Sequence, residues 1–142
     1  MYKEQSFQNL IDYWGERTPH NEAIYDGQRR ISYGELQGEI QRLASSLSSN
    51  DIKKGDKVMV FIPNWYEYIV LFHALVKIGA LIVPCNCSLK GKELKGRLDM
   101  INPKAVFVSK PSQLIWMREN CNPCLIFTTR FREEAMTPFW IY

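Results

Sequence analysis

The chain has 142 residues, of which 46% are hydrophobic and 23% charged, and its formal net charge is +3. That balance fits one soluble globular domain able to bury about 68–70% of its unfolded surface. The charge is too small, and the 18 lysines and arginines too dispersed, to imply nucleic acid binding.

The opening Met1-Tyr-Lys-Glu-Gln-Ser6 is polar and no apolar run follows it, so no secretory signal is expected and the cytoplasm is the expected compartment. Phe7, Leu10, Ile11 and Trp14 recur at helical spacing, with Ser6 as N-cap and Pro19 as the stop. Glu22–Tyr25 and Arg29–Ser32 read as antiparallel strands around the turn Asp26-Gly27. Ser32-Tyr-Gly-Glu35 has the form of a capping box, and Leu36, Ile40, Leu43, Ala44 and Leu47 carry its helix onward. Gly38 inside that helix predicts a close approach of a neighbouring element.

Lys57–Pro84 organises the rest. It holds an apolar strand (Val58–Ile62), a largely apolar helix, the terminating Gly79 and a second apolar strand (Ala80–Val83). Asn64 is the expected cap of the helix, which is expected to bury Trp65, Tyr68, Ile69, Leu71, Phe72, Leu75 and Val76. The pattern is a parallel βαβ unit with both strands buried. Trp65–Pro84 approaches membrane-spanning length, but Glu67, His73 and Lys77 argue against a transmembrane segment. Leu94, Leu98 and Ile101 mark the next helix, Ala105–Val108 a strand, Pro111–Glu119 a helix and Leu125–Phe127 a strand. The fold class implied is α/β, a partial doubly wound, mainly parallel sheet flanked by helices. From Thr128 the pattern fails, and Thr137–Tyr142 is apolar and aromatic. The expected division is an α/β unit over residues 1–110 and a poorly patterned continuation over 111–142. The aromatic end reads as an interruption awaiting a partner surface, with self-association as one outcome.

Chemistry in an open parallel sheet lies beyond the carboxyl ends of its strands, here Pro63-Asn64, Cys85–Ser88 and Ser109-Lys110. Neither form of Gly-rich phosphate loop is present, and Gly91–Gly96 reads as an ordinary helix start because Leu94 and Leu98 follow. The basic cluster Lys90, Lys92, Lys95 and Arg97, mixed with Glu93 and Asp99, reads as a solvated helix face. His73 reads as structural, and His20 has no partner in sequence. Cys85 or Cys87 would be a nucleophile only with a base nearby. Trp65, Tyr66 and Tyr68 read as core rather than a stacking platform. Cys85-x-Cys87 and Cys121-x2-Cys124 form the one metal-like pattern; separate reduced thiols are the main expectation and a four-Cys metal site the alternative.

Five segments resemble, in order, the N-terminal part of the AMP-forming acyl-CoA synthetases of the adenylate-forming enzyme superfamily. They are Ile31-Ser-Tyr-Gly-Glu-Leu36, Ile52–Val58, Pro63-Asn-Trp65, Leu75–Pro84, and Glu93-Leu94 with Arg97-Leu98 and Pro103–Phe107. Asn86-Cys87 stands where many members have Asn-Pro. The resemblance implies a ligase that joins a carboxylic acid to ATP as an acyl-adenylate, with Mg²⁺, and passes the acyl group to coenzyme A. It also implies a place in fatty acid metabolism. The family's phosphate loop, its adenine and ribose contacts and its C-terminal lysine have no counterpart in these residues. No catalytic, cofactor-binding or metal-ligating residue is therefore assigned. The expected function is that of a synthetase fragment inactive alone, with an interaction module built on the aromatic C-terminus as the alternative beside the metal-binding one.

Overall fold

The computed structural model describes residues 6–121 and 124–129. The aromatic segment Thr137–Tyr142 lies outside the described residues. A single 3-10 turn, Phe7–Asn9, leads into α1 (Leu10–Arg17). The hairpin β1 (Glu22–Tyr25) and β2 (Arg30–Ser32) follows, antiparallel and separate from the main sheet. Asp26 shapes its turn: the carboxylate accepts from the amides of Gln28 and Arg29, while Gly27 takes a positive φ of 92°. The capping box at α2 (Tyr33–Ser49) is present in both directions, and its five predicted apolar residues are all buried.

The rest of the chain alternates strand and helix: β3 (Lys57–Phe61), α3 (Tyr66–Ile78), β4 (Leu81–Pro84), α4 (Gly91–Ile101), β5 (Ala105–Val108), α5 (Pro111–Asn120) and β6 (Leu125–Thr128). The four strands form one parallel sheet in the order β4-β3-β5-β6. Because side chains alternate across a strand, Val58, Val60, Ala105 and Phe107 meet α2 and α3 on one face. Met59, Phe61, Val106 and Val108 meet α4 and α5 on the other. The sheet is thus covered on both sides, as an all-parallel sheet requires. The expected α/β architecture, a parallel sheet flanked by helices, is what the structure has. Past Lys110 the sheet continues: β6 pairs with β5 over four residues, and Phe127 stacks on Phe107 with ring centroids 4.8 Å apart.

Several local expectations are corrected. β4 is not a buried strand: it pairs only with β3 among the described residues, and Leu81 is 53% exposed. Asn64 does not cap α3; Trp65 occupies the N-cap position, and its side chain makes no capping bond to the helix. The α3 stripe that faces the core is Tyr66, Val70, Leu71, Ala74 and Leu75. Leu71 and Leu75 are buried as expected, whereas Trp65, Tyr68, Ile69, Phe72 and Val76 are half-buried. Ser6 makes no cap bond, and Phe7 lies exposed on α3 beside Phe72 and His73. Gly38 is not a point of close approach, since an added Cβ would meet only the Arg42 guanidinium at 3.4 Å. Gly34 is the tighter position: a Cβ there would come within 3.2 Å of the Pro19 carbonyl oxygen.

Candidate functional site

The strand order reverses between β3 and β5. From β3 the chain steps outward to β4, then returns through α4 to β5 on the opposite side. The crevice beyond the carboxyl ends of these two strands is where such sheets place ligands. Pro63-Asn64, Cys85–Ser88 and Ser109-Lys110 do meet at this end of the sheet, because β3, β4 and β5 run parallel and in register. Ser109 is buried, and its hydroxyl donates to the Phe61 carbonyl at 2.9 Å, tying the two central strands together where they end.

Gln113 completes the crest. Its Oε1 accepts from the amides of Ser109 at 3.2 Å and Lys110 at 3.1 Å, and its Nε2 donates to the Cys87 carbonyl at 3.3 Å. One carboxamide thereby joins the loop after β4 to the start of α5. Sequence reading missed this residue, although a Gln three positions into a helix is a capping-box signal. The consequence is chemical. Free amides at a helix start are what would hold a phosphate, and Gln113 already occupies those of Ser109 and Lys110.

The thiols at the crest are not activated. Burial pushes the Cys85 thiol up, against the nearby charge of Arg97, and burial pushes Cys87 up against Lys110. A thiol raised in this way is a poor nucleophile at neutral pH. Asn86 spends its carboxamide oxygen on the Ser88 amide at 2.8 Å. Among the described residues no three His, Cys, Asp or Glu side chains converge as a metal ion would need. Among the described residues the crest thus offers no converging carboxylates for Mg²⁺, and Gln113 occupies the two amides that lead into α5.

The four cysteines are divided by topology. Cys85 and Cys87 follow the carboxyl end of β4, whereas Cys121 and Cys124 precede the amino end of β6. In a parallel sheet these are opposite ends, and four-residue strands separate them by roughly 13 Å. They do not form one metal site. Nor are all four reduced: Cys121 and Cys124 are joined by a disulfide, while Cys85 and Cys87 are free.

The remaining candidates resolve as structural. His73 lies between the Phe7 ring, stacked at 5.4 Å, and the Phe72 edge at 5.5 Å, and burial lowers its pKa. Lys77, one turn on, is engaged by Asp12 of α1. Lys95 pairs with Asp99 and Arg97 with Glu93 along α4, so the basic cluster is a solvated face of i,i+4 pairs. Gly91 opens α4 with Leu94 and Leu98 buried beneath it, as an ordinary helix start. An open groove of about 650 Å³ runs between β2 and α2, lined by Arg29, Arg30, Glu35, Glu39 and Arg42 among others. Asp26 holds Arg29 at 3.2 Å and Glu35 is spent in the capping box, so much of the groove's charge is internally matched.

A sequence profile described as AMP-binding enzyme matches residues 11–135. The chain belongs to the AMP-binding enzyme family. It is 32% identical over 111 residues to acetyl-coenzyme A synthetase 1 of Candida albicans, covering 74% of this chain and 16% of that protein. It is 37% identical over 90 residues to a crotonobetaine/carnitine–CoA ligase of Salmonella paratyphi A, covering 63% of this chain and 17% of that protein. The chain thus spans less than a fifth of the length of these two relatives. Among solved structures, the N-terminal subdomain of Klebsiella oxytoca NpsA superposes with a TM-score of 0.74 at 24% identity, over 87% of this chain and 31% of that one. MatB of Rhodopseudomonas palustris superposes with a TM-score of 0.76 at 26% identity, over 85% of this chain and 25% of that one. The fold is that of the N-terminal subdomain of adenylate-forming enzymes. No helix among the described residues is long and apolar enough to cross a membrane.

Proposed function

We propose that these residues form the early scaffold of an ATP-dependent acyl-CoA synthetase and do not carry adenylation by themselves. The whole enzyme would activate a carboxylic acid as its acyl-adenylate, with Mg²⁺ and ATP, and transfer the acyl group to coenzyme A in the cytoplasm. The observation that carries the scaffold reading is Gln113. It closes the crest by filling two helix-start amides and binding the Cys87 carbonyl, so the switch point is built as a rigid platform. In this reading residues 1–110 supply most of the platform, α5 and β6 complete it, and the residues after β6 lead into the parts that contact substrate.

Two measurements test it. The purified 142-residue chain is expected to show no acyl-dependent exchange between ATP and pyrophosphate above a no-protein control; robust exchange would overturn the reading. In the second, the 90 residues of this chain that align with the crotonobetaine/carnitine–CoA ligase replace their counterpart in that enzyme. The folded hybrid is expected to retain thioester formation within about a hundredfold of the parent, because scaffold exchange acts through positioning rather than chemistry. A folded but wholly inactive hybrid would count against a scaffold role.

A further inference from the structure

We propose that the Cys121–Cys124 disulfide is a reversible thiol–disulfide exchange site whose reactant is a small, charged peptide thiol. The pair lies at the end of the sheet opposite the crest, where α5 gives way to β6. Both cysteines line a surface cavity of about 170 Å³, together with Lys95, Asp99, Asn102 and Asn120. The bond is therefore reached from outside rather than sealed in the core, and access is the first condition for exchange.

The cavity's chemistry selects the reactant. Lys95 donates to Asp99 at 2.8 Å and to the Asn120 carbonyl at 3.3 Å, next in sequence to Cys121. With two of its three donors placed, the Lys95 ammonium keeps one for an incoming carboxylate, and the Asn102 carboxamide lines the same cavity, which together suit a thiol that carries carboxylates. The architecture also tolerates opening of the bond. β6 is held by its own ladder to β5, and the Leu125 amide donates to the Lys104 carbonyl at 3.0 Å. The last turn of α5 is closed independently by the Cys121 amide on the Met117 carbonyl at 2.8 Å.

The reaction balances without a further reagent. A thiolate of the peptide thiol attacks one sulfur; the protein S–S bond breaks, a mixed disulfide forms, and the other cysteine leaves as thiolate and takes up a proton. A second peptide thiol attacks the mixed disulfide, freeing the remaining cysteine. Two protein thiols are gained as two peptide thiols become one peptide disulfide.

The test uses the full chain and glutathione. The protein is equilibrated in buffers spanning reduced-to-oxidised glutathione ratios, quenched with iodoacetamide, and labelling at each cysteine is read by peptide mass spectrometry. Cys121 and Cys124 are expected to pass together from unlabelled to labelled within the series, with a transient glutathione adduct on one of them and unchanged far-UV circular dichroism. Lys95→Met is expected to slow exchange with glutathione roughly tenfold at low ionic strength while leaving exchange with neutral 2-mercaptoethanol unchanged. A pair that stays wholly labelled or wholly unlabelled across the series overturns the proposal. So does labelling confined to Cys85 and Cys87, and equal slowing of both thiols in the Lys95 variant removes the charged peptide thiol as the reactant.

Discussion

His73 shows how a single ring can be structural and still respond to pH. It is held between Phe7 and Phe72, and burial lowers its pKa. Unfolding releases it to protonate near its ordinary value of about 6.5. Below that pH the unfolded chain binds the proton more readily than the folded one, so stability falls as pH drops. The loss levels off once the folded ring protonates as well. Equilibrium urea unfolding at a series of pH values between 7.5 and 5 is therefore expected to show a declining midpoint. His73→Phe keeps an aromatic ring between Phe7 and Phe72 but has nothing to titrate, so its profile is expected to be flatter. If the variant declines as steeply as the parent, another group controls this window. Gln113 makes the complementary point. Its position three residues into α5 is readable from sequence, but its bond to the Cys87 carbonyl spans 26 residues and depends on the loops meeting.

Helix ends were legible where their chemistry is local, although Ser6 and Asn64 do not act as the caps expected of them. The Ser32–Glu35 box, the turn at Asp26 and the left-handed Gly79 are each dictated by residues within four positions. What stayed hidden was neighbourhood. Residues 80–83 are as apolar as the central strand, yet β4 lies at an edge, since composition does not record which strands flank it. The opposite placement of the two cysteine pairs likewise follows from topology rather than spacing. Two glycines turn this into a paired prediction. Gly79 has φ 76° and terminates α3, so Gly79→Ala is expected to cost about 1–2 kcal/mol by forcing a side chain into left-handed backbone. Gly96 sits within α4, and an added Cβ there meets nothing within 4 Å. Gly96→Ala is expected to stabilise by about 0.4–1 kcal/mol, through higher helix propensity and a less flexible unfolded chain. Urea unfolding of both variants checks the pair. Opposite signs are expected, and a neutral Gly79→Ala would mean that the α3 terminus shifts to relieve the strain.

At the scale of the whole molecule, stability should follow the number of covered sides. β3 and β5 are paired on both edges and packed on both faces, and their residues from Val58 to Phe61 and from Ala105 to Val108 are buried. β4 and β6 each have one partner strand among the described residues. The β1–β2 hairpin is a two-stranded sheet of its own, and such a hairpin owes its stability to what it packs on. Here only Ile31 of the hairpin is buried, with Ala23 and Ile24 partly covered against the α2–α3 core. Native-state hydrogen exchange should therefore rank the segments. The amides of β3 and β5 are expected to open only with global unfolding, those of β4 and β6 by smaller local openings, and those of β1 and β2 first. The ranking bears on the proposed role. A scaffold that presents its crest to the rest of an enzyme needs the central pair rigid; Ser109 ties the end of β5 to β3, and Gln113 binds the Ser109 amide while reaching the loop after β4. Ser109→Ala deletes the bond to Phe61 and leaves that carbonyl without the hydroxyl. It is expected to lower protection at the ends of β3 and β5 by about 1–3 kcal/mol, with the hairpin unchanged. Equal loss of protection in the hairpin would show instead that the molecule unfolds as one unit, with no distinct rigid centre.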